Sequence, residues 1–301
     1  MSDAPSTVTV AAVQATPVFL DRDATIDIVV GHIEEAAAAG ARLVVFGEAL
    51  VPGYPDWVWR SPAWADGDWY RRLHGQAVDV PGPVTERIGA AARAAGAWVC
   101  VGVTERVRSG TLYNTLLTVA PDGLVAARHR KLVATGGERT VWGGGDGRDL
   151  APVDTGFGRV GGLICWENLM PLARAAVYQH GVDIYVAPTW DNSDAWLATL
   201  RHIAREGRVF VVGTNTCLRG SDIPRSLRGA AELYGGAEDW LSRGNTAIVG
   251  PDGTVLAGPL RDEAGMLVVT LDLADLVLAR RQFDPVGHYA RPDVFPFTVP
   301  S

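Results

Sequence analysis

Short apolar runs alternate with stretches whose apolar residues recur at helical spacing, and the alternation persists along most of the chain. Val8 to Ala15 is short, β-branched and apolar, which predicts a strand. Ile26, Val29, Val30, Ile33 and Ala37 then share one helical face, with Asp21 or Asp23 as a cap and Gly40 as a stop. Ala41 to Phe46 predicts a buried strand, Pro83 starts a helix that Gly96 ends, and Trp98 to Thr104 is again a strand. Two hairpins follow from Pro-Asp-Gly turns at 121–123 and 251–253, and both open on Asn-Thr, at 114 and 245. Either Pro-Asp-Gly is simply a good turn used twice, or the chain holds a pseudo-symmetric pair of facing sheets. Further strands are predicted at 160–164, 183–187 and 208–213, with helices from Pro171 to about His180 and from Ser193 to Glu206. The stretch 218–243, rich in Gly, Arg and Ser, predicts a loop insertion, mobile or part of an interface.

This alternation predicts an α/β fold, and no composition break marks a linker. The expectation is one domain over 1–301, with its core at about 8–275 and a C-terminal tail at 276–301 that ends in a Pro-rich, extended stretch. Hydrophobic residues at 48% and charged residues at 20% are a globular balance. A net charge of −7 excludes a nucleic-acid or anionic-membrane surface, which needs clustered Lys and Arg; Arg128-His129-Arg130-Lys131 is too short a run to change that. No apolar run approaches membrane-helix length. Three scattered cysteines form neither a disulfide framework nor a zinc pattern, and no secretory signal is visible, so a cytoplasmic protein is expected.

Three polar residues end apolar runs: Glu48 after Leu43-Val44-Val45-Phe46-Gly47, Lys131 after a β-run from Val125, and Cys165 after Gly161-Gly162-Leu163-Ile164. A buried cysteine is usually an inert core filler, a strand-end acid is usually solvated and a lone lysine usually lies on the surface. For Cys165 the polar Glu167 and Asn168 that follow argue otherwise, whereas Cys100 and Cys217 read as core. A thiol is reactive as its thiolate, so an acid and an amine converging on it would make a site. The Gly-rich 143–147 lacks the phosphate-loop spacing, no nucleophile elbow is present, and the six histidines lack ligand spacing. No metal and no cofactor are expected. Among ten tryptophans, Trp57, Trp59, Trp142, Trp166 and Trp190 fall near the candidate segments and are candidates for an aromatic pocket.

Taken in order, these segments resemble the nitrilase branch of the carbon–nitrogen hydrolase superfamily over nearly the whole length. The resemblance rests on Phe46-Gly47-Glu48-Ala49, Pro52-Gly53-Tyr54-Pro55, His129-Arg130-Lys131-Leu132, Glu138-Arg139-Thr140, Gly161 to Asn168, Val186 to Trp190, Arg201 to Gly207 and Gly287 to Pro292. It implies a four-layer α-β-β-α sandwich, a catalytic set of Glu48, Lys131, Cys165 and Glu138, and a substrate contacted by Tyr54, Trp166 and Trp190. The implied activity is hydrolysis of an organic nitrile to carboxylic acid and ammonia through a thioimidate and a thioester. Amidase or carbamoylase chemistry on the same residues is the alternative, and a catalytically silent assembly protein is a third reading. Gly47-Glu48-Ala49, where many nitrilases carry Pro-Glu-Thr, and a short tail depart from the pattern and leave open the nitrile's class, aliphatic, aromatic, arylaceto- or cyanide. The resemblance also implies a homodimer or a larger homo-oligomer or spiral.

Overall fold

The computed structural model describes residues 7–236 and 238–299. In chain order the first half carries β1 (Thr7–Gln14), α1 (Arg22–Ala38), β2 (Leu43–Val45), α2 (Gly67–Gln76), β3 (Val78–Asp79), α3 (Pro83–Ala95), β4 (Trp98–Arg106), β5 (Leu112–Val119) and β6 (Val125–Arg130). The second carries β7 (Val153–Asp154), β8 (Arg159–Gly162), α4 (Pro171–Gln179), β9 (Ile184–Pro188), α5 (Asp194–Gly207), β10 (Phe210–Thr214), β11 (Cys217–Arg219), α6 (Ala230–Leu233), β12 (Trp240–Val249), β13 (Val255–Arg261), β14 (Gly265–Asp272) and α7 (Ala274–Gln282). The local signals act as expected. The Asp21 side chain caps α1 by accepting from Ala24 N at 3.1 Å. Pro83 opens α3, and Gly96 at φ 61° closes it in the left-handed conformation.

The strands form two 7-stranded sheets, ordered β14-β1-β2-β4-β5-β6 with β3 beside β4, and β11-β12-β10-β9-β8-β7 with β13 beside β12. In the first sheet β1, β2 and β4 run parallel, then β5 and β6 return antiparallel as a hairpin. In the second, β8, β9 and β10 run parallel, then β12 and β13 return the same way. The two Pro-Asp-Gly turns therefore mark equivalent places in a repeated plan, which selects the pseudo-symmetric reading.

Each sheet buries its two faces differently. The outer face of the first packs on α1 and α3 through Val29, Ile33, Ile88 and Ala92 against Val44, Val99 and Leu117. The outer face of the second packs on α4 and α5 through Val177, Leu200 and Ile203 against Tyr185 and Val211. Their inner faces meet through Val10, Leu43, Val45 and Cys100 on one side and Ile184, Val186, Phe210 and Ile248 on the other. The result is the four-layer α-β-β-α sandwich, with parallel strands buried on both faces and so written as near-continuous apolar runs.

Some expectations are corrected. The stretch 218–243 holds β11, α6 and the start of β12, and Leu218, Ile223, Ala230 and Tyr234 are buried in an aromatic cluster with Phe19, Tyr54, Trp57 and Trp69. It is a packed wall rather than a free insertion. The tail beginning at 276 starts inside α7, where Leu276 and Ala279 are buried; only 283–299 lacks helix and strand. Several elements had no counterpart in the sequence reading, among them α2, α7 and β14, the last of which pairs with β1 from Thr7↔Asp272 to Gln14↔Gly265.

Candidate active site

The parallel strands of both sheets end toward one corner, and the chain turns sharply there. Leaving β2, the turn that carries Glu48 lies flat on β4: a Cβ on Gly102 would sit 2.4 Å from Gly47 O and 2.5 Å from Ala49 N. Ala49 adopts φ 45° and Cys165 φ 52°, left-handed conformations that side chains other than glycine rarely take and that gather at functional sites. Cys165 is not the last residue of a strand as expected. β8 ends at Gly162, and Cys165 opens a 3-10 turn over Cys165–Leu169. At Gly162 the β8 backbone presses on β9 so closely that a Cβ would lie 1.9 Å from Val186 O.

Glu48, Lys131, Glu138 and Cys165 converge there, all four buried. Lys131 Nζ donates to Glu48 Oε1 at 2.8 Å and to Glu138 Oε2 at 2.8 Å. Glu48 Oε1 also accepts from Asn114 Nδ2 at 2.7 Å, and its Oε2 accepts from Trp190 N at 2.7 Å. Glu138 accepts from Tyr54 OH at 2.6 Å and from Thr135 N at 2.7 Å. The Cys165 sulfur accepts from Thr189 Oγ1 at 3.1 Å, and it lies close enough to Glu48 for each group to shift the other's ionisation.

Burial decides the protonation of this cluster. It pushes the Cys165 thiol up to about 12, helped by the charge of Glu48, so the resting sulfur is protonated. Burial also raises Glu48 above the usual carboxylate range, against the pull of Lys131, which makes it a stronger acceptor for the thiol proton. Burial works against the Lys131 ammonium, but the carboxylates of Glu48 and Glu138 outweigh it, and the lysine stays charged. An acid poised to accept a proton, a thiol holding one and a fixed positive charge are the parts of a nucleophilic site.

A cavity of about 420 Å³ opens onto the thiol, lined by Tyr54, Trp59, Thr135, Glu138, Cys165, Trp166, Trp190, Asp191, Asn192 and Ser193. That is the scale of a small-molecule site. Larger grooves run along α5 and between α3 and β6, and neither is lined by a cysteine. Tyr54 stacks on Trp190 at 4.5 Å and 8° between ring planes. Trp166, about half exposed, forms another wall. The expected aromatic pocket is thus reduced to Trp59, Trp166 and Trp190. Trp57 is buried with its indole N–H on Asp66, and Trp142 packs behind Tyr54, so neither lines the cavity.

Sequence reasoning missed the roles of four supporting residues. Glu167, buried, accepts from Ile164 N at 2.7 Å and Leu132 N at 2.6 Å, one residue from Cys165 and one from Lys131, while His129 Nε2 sits at 3.0 Å. One carboxylate therefore ties the cysteine turn to the lysine strand. Asn168 donates to Cys165 O at 2.9 Å and is held by Tyr185 OH. Thr189 and Asn114 hold the sulfur and Glu48. The available signal was the pair of polar residues after the cysteine, in a segment otherwise too apolar to be solvated. Among the described residues no group of His, Cys, Asp and Glu is arranged to hold a metal ion.

Comparison with known proteins adds to this geometry. The family model described as carbon-nitrogen hydrolase matches residues 9–281. An aliphatic nitrilase of Sinorhizobium fredii is 45% identical over 296 residues, covering 96% of this chain and 94% of its own. A bifunctional nitrilase/nitrile hydratase of Nicotiana tabacum is 41% identical, covering 99% and 88%. Among solved structures, a carbon-nitrogen hydrolase from Helicobacter pylori superposes with a TM-score of 0.75 at 20% identity, over 97% of both chains. A Nesterenkonia amidase superposes at 0.66 with 21% identity, over 91% and 94%. At that identity the two structures speak for the fold alone. The sandwich, the family match and full-length relatives of this closeness together establish that the chain belongs to the carbon–nitrogen hydrolase family, in its nitrilase branch.

Proposed function

We propose that the protein hydrolyses a nitrile to its carboxylic acid and ammonia, with Cys165 as nucleophile, Glu48 as base, Lys131 as electrostatic stabiliser and Glu138 holding Lys131 in place. The observation that carries this reading is the buried lysine bonded to two carboxylates at 2.8 Å beside a protonated thiol.

Glu48 takes the thiol proton as sulfur attacks the nitrile carbon, and the nitrogen gains a proton to give a thioimidate. Lys131 favours the thiolate and the charge that develops on the adduct, with the N–H of Trp166, at the open start of its turn, as second donor. A water adds to the thioimidate carbon, giving its proton to Glu48. The C–N bond breaks and ammonia leaves with the protons returned by the site, so a thioester remains. A second water, activated the same way, cleaves the C–S bond, frees the acid and restores the thiol. The balance is one nitrile and two waters in, one acid and one ammonia out. Preorganised donors of this kind are typically each worth about 3–4 kcal/mol.

The nitrile, rather than an amide, is supported by relatives named as nitrilases at 39–45% identity. An amidase or carbamoylase would share the thioester half of the cycle. Matched nitrile and amide substrates, assayed for ammonia, separate them: faster nitrile turnover is expected, and faster amide turnover reverses the assignment. Cys165→Ala is expected to release no ammonia while keeping its far-UV circular dichroism; turnover by that folded variant would end the mechanism.

We also read the chain as one domain that self-associates in a reducing cytoplasm. Leu172 on α4 and Val277 and Leu278 on α7 are 61–70% exposed, an apolar display that association would cover. Its cysteines are free and buried. A monomeric mass by light scattering would remove the first of these points.

A further inference from the structure

We propose that Asp191 makes this cavity a charge filter, admitting nitriles that carry an ammonium group at the far end and rejecting those that carry a carboxylate. This rests on the nitrile-hydrolysing reading of the same site.

A substrate entering the cavity meets acidic groups and no basic ones. None of the residues lining the cavity is Lys, Arg or His, while Glu138 and Asp191 are acidic. Lys131 does not redress the balance, because its ammonium is already spent on Glu48 and Glu138. Glu138 in turn is covered on its other oxygen by Tyr54 OH. The carboxylate left facing the cavity without an ionic partner, among the described residues, is Asp191.

Its placement is fixed from both sides. Oδ2 accepts from the Trp166 indole N–H at 2.9 Å, and Oδ1 accepts from Ser193 N at 2.9 Å. Its own backbone N–H donates to Thr189 Oγ1 at 2.9 Å, the hydroxyl that reaches the sulfur. Asp191 thus stands two hydrogen bonds from the nucleophile, held rigid, with a lone pair free on each oxygen. The indoles of Trp59 and Trp166, each about half exposed, stand in the same wall. A carboxylate next to exposed indole rings is the chemistry that holds an ammonium, through charge and through the ring faces. The same wall repels an anion and eases departure of the carboxylate product.

The test uses the intact enzyme and three nitriles of matched length. These are capronitrile, which is neutral; ω-aminovaleronitrile, which replaces its terminal methyl by an ammonium; and ω-cyanobutyrate, which ends in a carboxylate. At low ionic strength kcat/KM for the ammonium compound should exceed that for the carboxylate by about tenfold, the scale of a partly exposed charge contact combined with cation–π attraction, and salt should shrink the ratio. Asp191→Asn keeps an oxygen for the Trp166 indole, gives up the acceptor for Ser193 N and removes the charge, so the ratio should fall to within about twofold of one, with capronitrile turnover reporting any cost of the lost Ser193 contact. The inductive pull of the ammonium on the nitrile is a property of the substrate and survives the substitution, so it cannot mimic this loss. If capronitrile is hydrolysed but the wild type treats cation and anion alike, or if Asp191→Asn leaves the ratio in place, the filter is refuted and the nitrilase reading stands. If none of the three is hydrolysed, the filter is refuted as stated, and the nitrilase reading is judged separately by ammonia release from the matched nitrile and amide substrates.

Discussion

The two halves of the molecule repeat one plan and put it to unequal use. In each, the Asn-Thr at the hairpin sends an asparagine amide across to the turn that follows the middle parallel strand. Asn114 Nδ2 reaches Glu48 Oε1 at 2.7 Å, and Asn245 Nδ2 reaches Ser193 O at 2.7 Å. In each, a basic residue stands at the end of the second hairpin strand, Lys131 just after β6 and Arg261 as the last residue of β13. Lys131 is 1% exposed and paired with two carboxylates, whereas Arg261 is 36% exposed at its side chain and paired with Asp194 at 87%. Architecture alone therefore does not make a site. The first half buries its acid and base, and the second contributes the thiol from the end of β8 and the Thr189-Trp190 turn from the end of β9. Catalytic machinery forms where both sheets contribute to it, while the Asn245-Arg261 pair of the second half, ion-paired with the exposed Asp194, is left as scaffold.

The largest expected contrast is between the two basic residues. Lys131→Met leaves two buried carboxylates unpaired. It should destabilise the fold by about 3–5 kcal/mol and abolish ammonia release, whereas Arg261→Ala should cost about 1 kcal/mol or less and leave turnover in place. Thermal melts and initial rates on the same preparations check this, and equal effects would dissolve the distinction between the two halves. The asparagines sharpen it further. Asn114→Ala removes a donor from Glu48 and should lower kcat by about tenfold, while Asn245→Ala should cost about 1 kcal/mol of stability with kcat within about twofold of wild type.

The smallest effect concerns the thiols. Burial pushes both Cys100 on β4 and Cys165 up to about 12 from an ordinary 9.0. A thiol that holds its proton more tightly folded than unfolded stabilises the fold fully below about pH 9. That contribution drains away as pH rises toward 12, because the unfolded chain ionises first. Cys100→Ala should therefore show a shallower alkaline decline of the urea midpoint than wild type; an unchanged decline would mean burial of Cys100 is not its source. Iodoacetamide should still distinguish the pair, since Cys165 opens on the cavity and Cys100 lies between the sheets.

Much of this was readable beforehand. Glu48, Lys131 and Cys165 announce themselves because each ends an apolar run, where a strand stops and a side chain must go somewhere. The repeated Pro-Asp-Gly turns, where Gly123 and Gly253 supply the positive φ that the turn requires, left pseudo-symmetry as one of two readings that only the sheet order could decide. Glu167 was legible only as an oddity, because its role depends on Ile164 and Leu132 meeting, and that meeting joins two sheets. β14 escaped because Gly265 to Asp272 is half-exposed at the sheet edge and finds its partner only at the opposite end of the chain. The stretch 218–243 misled because Gly, Arg and Ser dominate its composition, while the few apolar residues that pin it, Leu218, Ile223 and Tyr234, are widely spaced.

The tight approach at Gly162 also bears on how such an enzyme can change over generations. Since no side chain fits between those two backbones, the strand leading to the sulfur and the strand leading to Thr189 must move together or not at all. A lineage that keeps this chemistry must keep that glycine. Inherited variation in diet is then steered outward, to the half-exposed rim at Trp59, Asp191, Asn192 and Ser193, where a new residue alters what enters without disturbing what reacts.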